Sequence, residues 1–214
     1  GANVFGIVTT IFTVGSKLYI AGRFRAVGDL EAHGLAFYDG VSWQTVGEGS
    51  HVTGGLINAM ATLHGELYVG GSMSKIGNTI VSRFAKWDGR SWSSIGSFNG
   101  DVHSIATDGE SVLVGGDFTL VEDVAVRNIA RYYSGKWVSV GGGLDGTVLS
   151  IQSLGSCVYI GGKFTSSFAD DGQEMRPAKY LTRWCLPDEG EEAHFETFET
   201  FDTLGPVHVI QPFF

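Results

Sequence analysis

The chain has 214 residues, of which 32 are Gly, 4 Pro and 2 Cys; 43% are hydrophobic and 12% aromatic, which suits one packed domain. Glycine at about twice ordinary usage, without a collagen period and beside many Val, Ile, Leu, Phe and Trp residues, excludes collagen and general disorder. The net charge of −9 argues against a nucleic-acid partner, and no apolar run approaches the roughly 20 residues needed to span a bilayer.

The acid excess is uneven. After Arg183 there is no Lys or Arg, while Asp188, Glu189, Glu191, Glu192, Glu196, Glu199 and Asp202 are all acidic, which leaves a net charge of −2 before residue 184. The start, Gly1-Ala2-Asn3-Val4, has neither the Met nor the basic stretch of a leader, so any targeting signal is expected to have been removed.

Four segments recur along the chain: LYIAGRF (18–24), LYVGGSM (67–73), VLVGGDF (112–118) and VYIGGKF (158–164). The first three are each followed by an aromatic-turn-Trp unit, LAFYDGVSW (35–43), FAKWDGRSW (84–92) and IARYYSGKW (129–137). Such a period marks a repeat architecture. Within the second unit, INAMATL (57–63), ELYVGG (66–71), VSRFAKW (81–87) and SWSSIG (91–96) read as four strands. His64-Gly65 and Asp88-Gly89 read as tight hairpin turns, Asp-Gly suiting a two-residue type I′ turn with positive φ at both positions. The second strand, Leu67-Tyr68-Val69, is apolar on both faces, as expected of a sheet covered on both sides. The glycine pairs are expected to let an aromatic ring approach the backbone.

Four-stranded units of this length in tandem predict an all-β chain built as a β-propeller. The units span approximately 7–47, 57–96, 102–142 and 148–187, within a repeat region of 1–187 that is followed by an acidic, Phe-rich tail at 188–214. The apolar-Tyr-apolar-Gly-Gly and aromatic-Asp-Gly-x-x-Trp motifs resemble kelch or galactose-oxidase-type repeats. They are closer to the WDGxxW and LYVGGxF repeats of large bacterial surface proteins and fungal cortical polarity-marker proteins. The likeness covers roughly residues 7–185 and implies a propeller fold; it does not extend to the copper chemistry of galactose oxidase, whose ligands match no positions here. Propellers host enzymes, lectins and scaffolds alike.

The fourth unit departs from the pattern. Cys185-Leu186-Pro187 stands where Asp88-Gly89-Arg90 stands in the second, so the last blade is expected to be incomplete. Three explanations compete: a strand borrowed from the tail, for which VHVIQPFF (207–214) is the best β-former; association with another copy; or a segment or processed subunit of a larger propeller protein, which is the favoured reading. Cys157 opens the second strand of this unit and Cys185 closes its third, ends that antiparallel pairing sets opposite each other, so a disulfide is expected. It would imply an oxidising, extracellular or cell-surface location. Two reduced cysteines are the alternative.

The longest connections join second to third strands or one unit to the next, and function concentrates on long loops held by a rigid scaffold. The expected binding face therefore carries Arg23, Arg25, Asp29, His33, Ser72, Asp117, Glu122, Asp123, Lys163, Asp170 and Asp171, with Glu31, Glu48, His51, Asp101, Arg127, Asp145 and Arg176 on the same face. Ser72, Asp117 and Lys163 directly follow the Gly-Gly pairs and Arg23 the equivalent Ala21-Gly22, and these four are the most variable part of the motif. The pairs Glu122-Asp123 and Asp170-Asp171 can offer oxygen ligands to Ca²⁺, but solvated surface is the stronger expectation, and no other cofactor or metal is expected. No HExxH, GxSxG or GxxxxGK[ST] pattern occurs. In the tail, Phe195, Phe198 and Phe201 recur every three residues, a spacing expected either of an acidic spacer or of a segment that docks its rings. The leading functional expectation is a non-catalytic module that binds protein or glycan and uses its tail in assembly. The alternative is a carbohydrate-active or oxidoreductase propeller enzyme with a site near the axis.

Overall fold

The computed structural model describes residues 3–47, 51–169, 172–185 and 194–196. The chain is all-β, with no helix among the described residues, and divides into two compact units, 1–97 and 98–214. The first unit opens with β1 (Val4–Val14), β2 (Lys17–Val27), β3 (Leu30–Glu31), β4 (Leu35–Tyr38) and β5 (Trp43–Gln44). These form a sheet ordered β1-β2-β4-β5, with β3 folded back onto β2. It continues through β6 (Val52–Thr53), β7 (Ile57–Leu63), β8 (Glu66–Gly71), β9 (Lys75–Ile76), β10 (Thr79–Ile80), β11 (Phe84–Trp87) and β12 (Trp92–Ser93). Here β7, β8, β11 and β12 make a second sheet, and β6 joins the β9–β10 hairpin.

The second unit repeats this plan. Its first sheet is β13 (Val102–Thr107), β14 (Val112–Gly116), β17 (Ile129–Tyr133) and β18 (Lys136–Ser139), with the hairpin β15 (Leu120–Val121) and β16 (Val124–Ala125) inserted between β14 and β17. Its second sheet is β19 (Val148–Leu154), β20 (Cys157–Gly162), β23 (Leu181–Cys185) and β24 (His194–Glu196), with β21 (Ser166–Phe168) and β22 (Met175–Pro177) as the inserted hairpin. The main pairings are all antiparallel.

At the second glycine of the pairs the expected aromatic approach occurs at Gly116 and Gly162, where a Cβ would lie 2.9 and 3.1 Å from the Phe118 and Phe164 rings, but a main-chain contact is closer still. In each of the four main sheets the first strand carries a bulge at the same place, between Val8 and Thr10, Ile57 and Ala59, Val102 and Ser104, and Val148 and Ser150. The bulge pushes a carbonyl toward the second strand. A Cβ on Gly22, Gly71, Gly116 or Gly162 would lie 2.3, 1.9, 2.0 or 2.2 Å from the oxygen of Ile7, Leu56, Asp101 or Thr147 respectively. No side chain fits at that distance, so a repeated main-chain contact selects glycine.

The turns also differ from expectation. His64-Gly65 and Ser134-Gly135 have positive φ at both residues, as a two-residue type I′ turn requires. The Asp-Gly corners do not. Tyr38 pairs Trp43 and Trp87 pairs Trp92, so four residues separate the strands, and only Gly40 and Gly89 have positive φ. The aspartate closes the loop with its side chain: Asp39 Oδ1 accepts from the amides of Val41 and Ser42, Asp88 Oδ1 from Arg90 and Ser91, and Asp108 Oδ1 from Glu110 and Ser111. Asp is selected here as a hydrogen-bond acceptor.

The fourth sheet is not short of a strand. His194–Glu196 supplies it, with Arg183 paired to Glu196, Trp184 to Phe195 and Cys185 to His194. Phe195 thereby takes the place held by Trp43, Trp92 and Trp137 in the other sheets, each opposite an aromatic residue of the preceding strand. It is buried in a core cluster with Trp184, Phe164 and Ile160. Thr182 Oγ1 donates to the Glu196 carbonyl at 2.8 Å, and the Arg183 guanidinium pairs with the Glu196 carboxylate. The segment 207–214, nominated for this strand on β-propensity, lies outside the described residues, as do Phe198 and Phe201. Cys157 and Cys185 are cross-strand partners joined by a disulfide, with Cα atoms 4.0 Å apart.

Candidate functional site

In the first unit, β1, β2, the loop after β3 and the 52–56 segment line a cleft of about 690 Å³. Its polar side chains come largely from β2, where Arg23 and Arg25 are exposed and Phe24 between them is buried. That is the period of two that puts alternate side chains on opposite faces. Phe5 contributes a 60% exposed ring, while Gly6 and Gly54 leave main chain at the surface. His33 and Thr53 complete the polar lining, and no Asp or Glu is among the lining residues that are described.

His33 is held from two sides. The Gly34 amide donates to the Phe24 carbonyl at 3.1 Å, and the Val52 amide donates to the His33 carbonyl at 2.9 Å. This second bond draws the 51–56 segment against the loop that follows β3. His51, directly before it, stacks its ring on His33 with centroids 4.1 Å apart, and Glu31 Oε1 lies 3.0 Å from His33 Nε2. Glu31, His33 and His51 thus gather ligand atoms within 4.8 Å of one another. The sequence placed all three on one face, yet a separation of 18 residues between the histidines matches no local metal motif.

Of the nominated binding residues, Arg23, Arg25 and His33 share this cleft. Asp29 lines an adjoining groove with Phe5 and Trp43. Ser72 has a local structural task, its Oγ accepting from the Leu56 amide at 3.0 Å. In the second unit, Asp117 lies half-exposed near His103, and Lys163 is exposed with its amide bonded to the Thr147 carbonyl. Glu122-Asp123 forms the turn of the β15–β16 hairpin, with Glu122 at positive φ. Asp170 and Asp171 lie outside the described residues.

Two acids serve the scaffold, Asp145 at the surface and Asp108 largely buried. Burial pushes the Asp145 carboxyl up, but the Thr165 hydroxyl and the amides of Ser166 and Thr165 outweigh it and hold it below the usual range. For Asp108 burial again raises, and the Ser111 hydroxyl, the amides of Glu110 and Ser111 and the Arg131 guanidinium together lower it further.

No family model matches the chain, and no curated protein matches it. Among solved structures, the chain is similar to one described as Bacteroides ovatus xyloglucan PUL GH43B, at 16% identity and a TM-score of 0.40. That match covers 94% of this chain and 43% of the other, so the chain spans less than half the length of the structure it resembles.

Proposed function

We propose that the chain is a non-catalytic β-propeller binding module of the kelch-like kind, whose cleft beside β2 holds a carboxylate-bearing protein or glycan. Four antiparallel meanders in the same register support the propeller reading. So does the contact of first strand with first strand inside each unit, β1 with β7 and β13 with β19, because inner strands adjoin around a propeller axis. The observation that carries the binding reading is a cleft lined by two exposed guanidiniums and an exposed phenyl ring. Guanidinium is the side chain suited to bidentate carboxylate recognition. The disulfide supports an extracellular or cell-surface setting, and the docking of Phe195 supports a tail that assembles onto the repeat body.

The test is binding of uronic-acid oligosaccharides, their carboxyl-reduced forms and acidic peptides, measured by calorimetry. Arg23→Ala with Arg25→Ala is expected to weaken the acidic ligand about 100-fold, from charged hydrogen bonds of roughly 1.5 kcal/mol each, with no effect on melting. Equal binding by the double variant and the native chain overturns the reading.

A further inference from the structure

We infer that Glu31, His33 and His51 form a binding site for a zinc-class transition-metal ion at the wall of the cleft. The argument starts from the donors: two imidazoles and one carboxylate. Imidazole nitrogen suits Zn²⁺, Cu²⁺ and Ni²⁺, whereas Ca²⁺ takes 6 to 8 oxygens at longer distance. The same set, two histidines and a glutamate, is a recognised way to hold zinc while leaving further coordination positions open.

The spacing is nearly that of a bound ion. With metal–ligand bonds of about 2.0–2.2 Å in a tetrahedral site, neighbouring donor atoms lie roughly 3.3 Å apart. Glu31 Oε1 and His33 Nε2 are already 3.0 Å apart, and all three donor atoms lie within 4.8 Å. Closing the remainder requires only side-chain rotation, since Glu31 and His51 are exposed. The backbone is fixed in advance. Glu31 is paired to Ala26 of β2, the Val52 amide ties the His51 segment to His33, and the Gly77 amide donates to the His51 carbonyl at 3.1 Å.

The stacked imidazoles point the same way. Rings whose centroids are 4.1 Å apart set two imidazole donors side by side, as ligation of one shared ion requires. Because His33 also lines the cleft, an ion here adds a third cationic centre beside Arg23 and Arg25, with open positions for a ligand carboxylate. The metal site itself does not rest on the carboxylate reading, and its test is made without any ligand for the cleft.

The experiment is calorimetric titration of the full chain with Zn²⁺, Ni²⁺ and Ca²⁺ salts, with imidazole ¹⁵N spectra recorded in parallel. One saturable Zn²⁺ or Ni²⁺ site per chain is expected, with shifts confined to the rings of His33 and His51, and Ca²⁺ is expected not to compete. His51→Ala and Glu31→Gln, both exposed changes, are each expected to lower zinc affinity by on the order of 10-fold or more. His64→Ala and His103→Ala are expected to leave it unchanged. The inference is overturned if no saturable site appears, if Ca²⁺ competes equally, or if the shifts fall on other histidines. Failure of the carboxylate binding test would leave these outcomes unaffected.

Discussion

At the scale of single residues, glycine is required for two separable reasons. Gly116 is not at positive φ, but a Cβ there would sit 2.0 Å from the Asp101 carbonyl oxygen. Gly89 has open space around its missing side chain but a φ of +94°. Gly116→Ala is therefore expected to cost about 3 kcal/mol through displacement of the β13 bulge, and Gly89→Ala about 1 kcal/mol through backbone strain alone. Urea denaturation of the two variants checks the order, and equal costs would mean that the bulge carbonyl moves freely. A second residue-scale case is Arg131, whose guanidinium lies 3.0 Å from Asp108, takes Ser111 Oγ as acceptor at 2.6 Å and sits over the Tyr133 and Trp184 rings. The Asp108 side chain is only 5% exposed. Arg131→Met is expected to lose about 3 kcal/mol by stranding that carboxylate. Adding Asp108→Asn should return part of the loss, a coupling that a double-mutant cycle measures.

Among elements, β24 shows what a repeat conceals when one connection lengthens. In the first three sheets the aromatic residue and its partner Trp are separated by five positions, as in Trp87 and Trp92, and the motif is plain in the sequence. In the fourth, Trp184 meets Phe195 eleven positions later. Phe replaces Trp, and the connecting residues carry none of the Asp-Gly signal. The three-residue period of the tail advertised docking without indicating which ring docks, and β-propensity favoured the more apolar 207–214. The disulfide was legible because Cys157 and Cys185 fall at positions whose register the repeat itself defines. If Phe195 stands in for the repeat Trp, Phe195→Trp should fold with nearly native stability. Phe195→Ala should lose about 3–4 kcal/mol as a buried ring becomes a cavity. Equal stability of Ala and native proteins in chemical denaturation would show that β24 contributes little to the sheet.

For the molecule as a whole, repetition made the strands readable, while the candidate site is formed by non-repeating residues that meet across long sequence separations. His33 and His51 adjoin because the Val52 amide bonds the His33 carbonyl, a contact no local pattern encodes. The same repetition distributes acid sensitivity along the chain. Asp39 and Asp88 are lowered by turn amides, while in Glu66, Asp108 and Asp145 burial raises the carboxyl but hydrogen bonds outweigh it. A carboxyl with a depressed folded pKa adds stability above its unfolded value, about 3.9 for Asp and 4.3 for Glu. That stability is lost as pH falls through the lower folded values. The urea midpoint is thus expected to be nearly level from pH 7 to about 5 and to drop below about pH 4. The repeat supplies its own control. At the position equivalent to Asp145, Asn99 Oδ1 accepts from the Thr119 and Leu120 amides, just as Asp145 Oδ1 accepts from Thr165 and Ser166. An uncharged amide therefore makes the same anchor. Asp145→Asn should keep the fold and flatten the acid limb of the stability curve, whereas Asn99→Asp should steepen it. Parallel acid limbs in both variants and the native chain would locate the acid sensitivity away from these loop anchors.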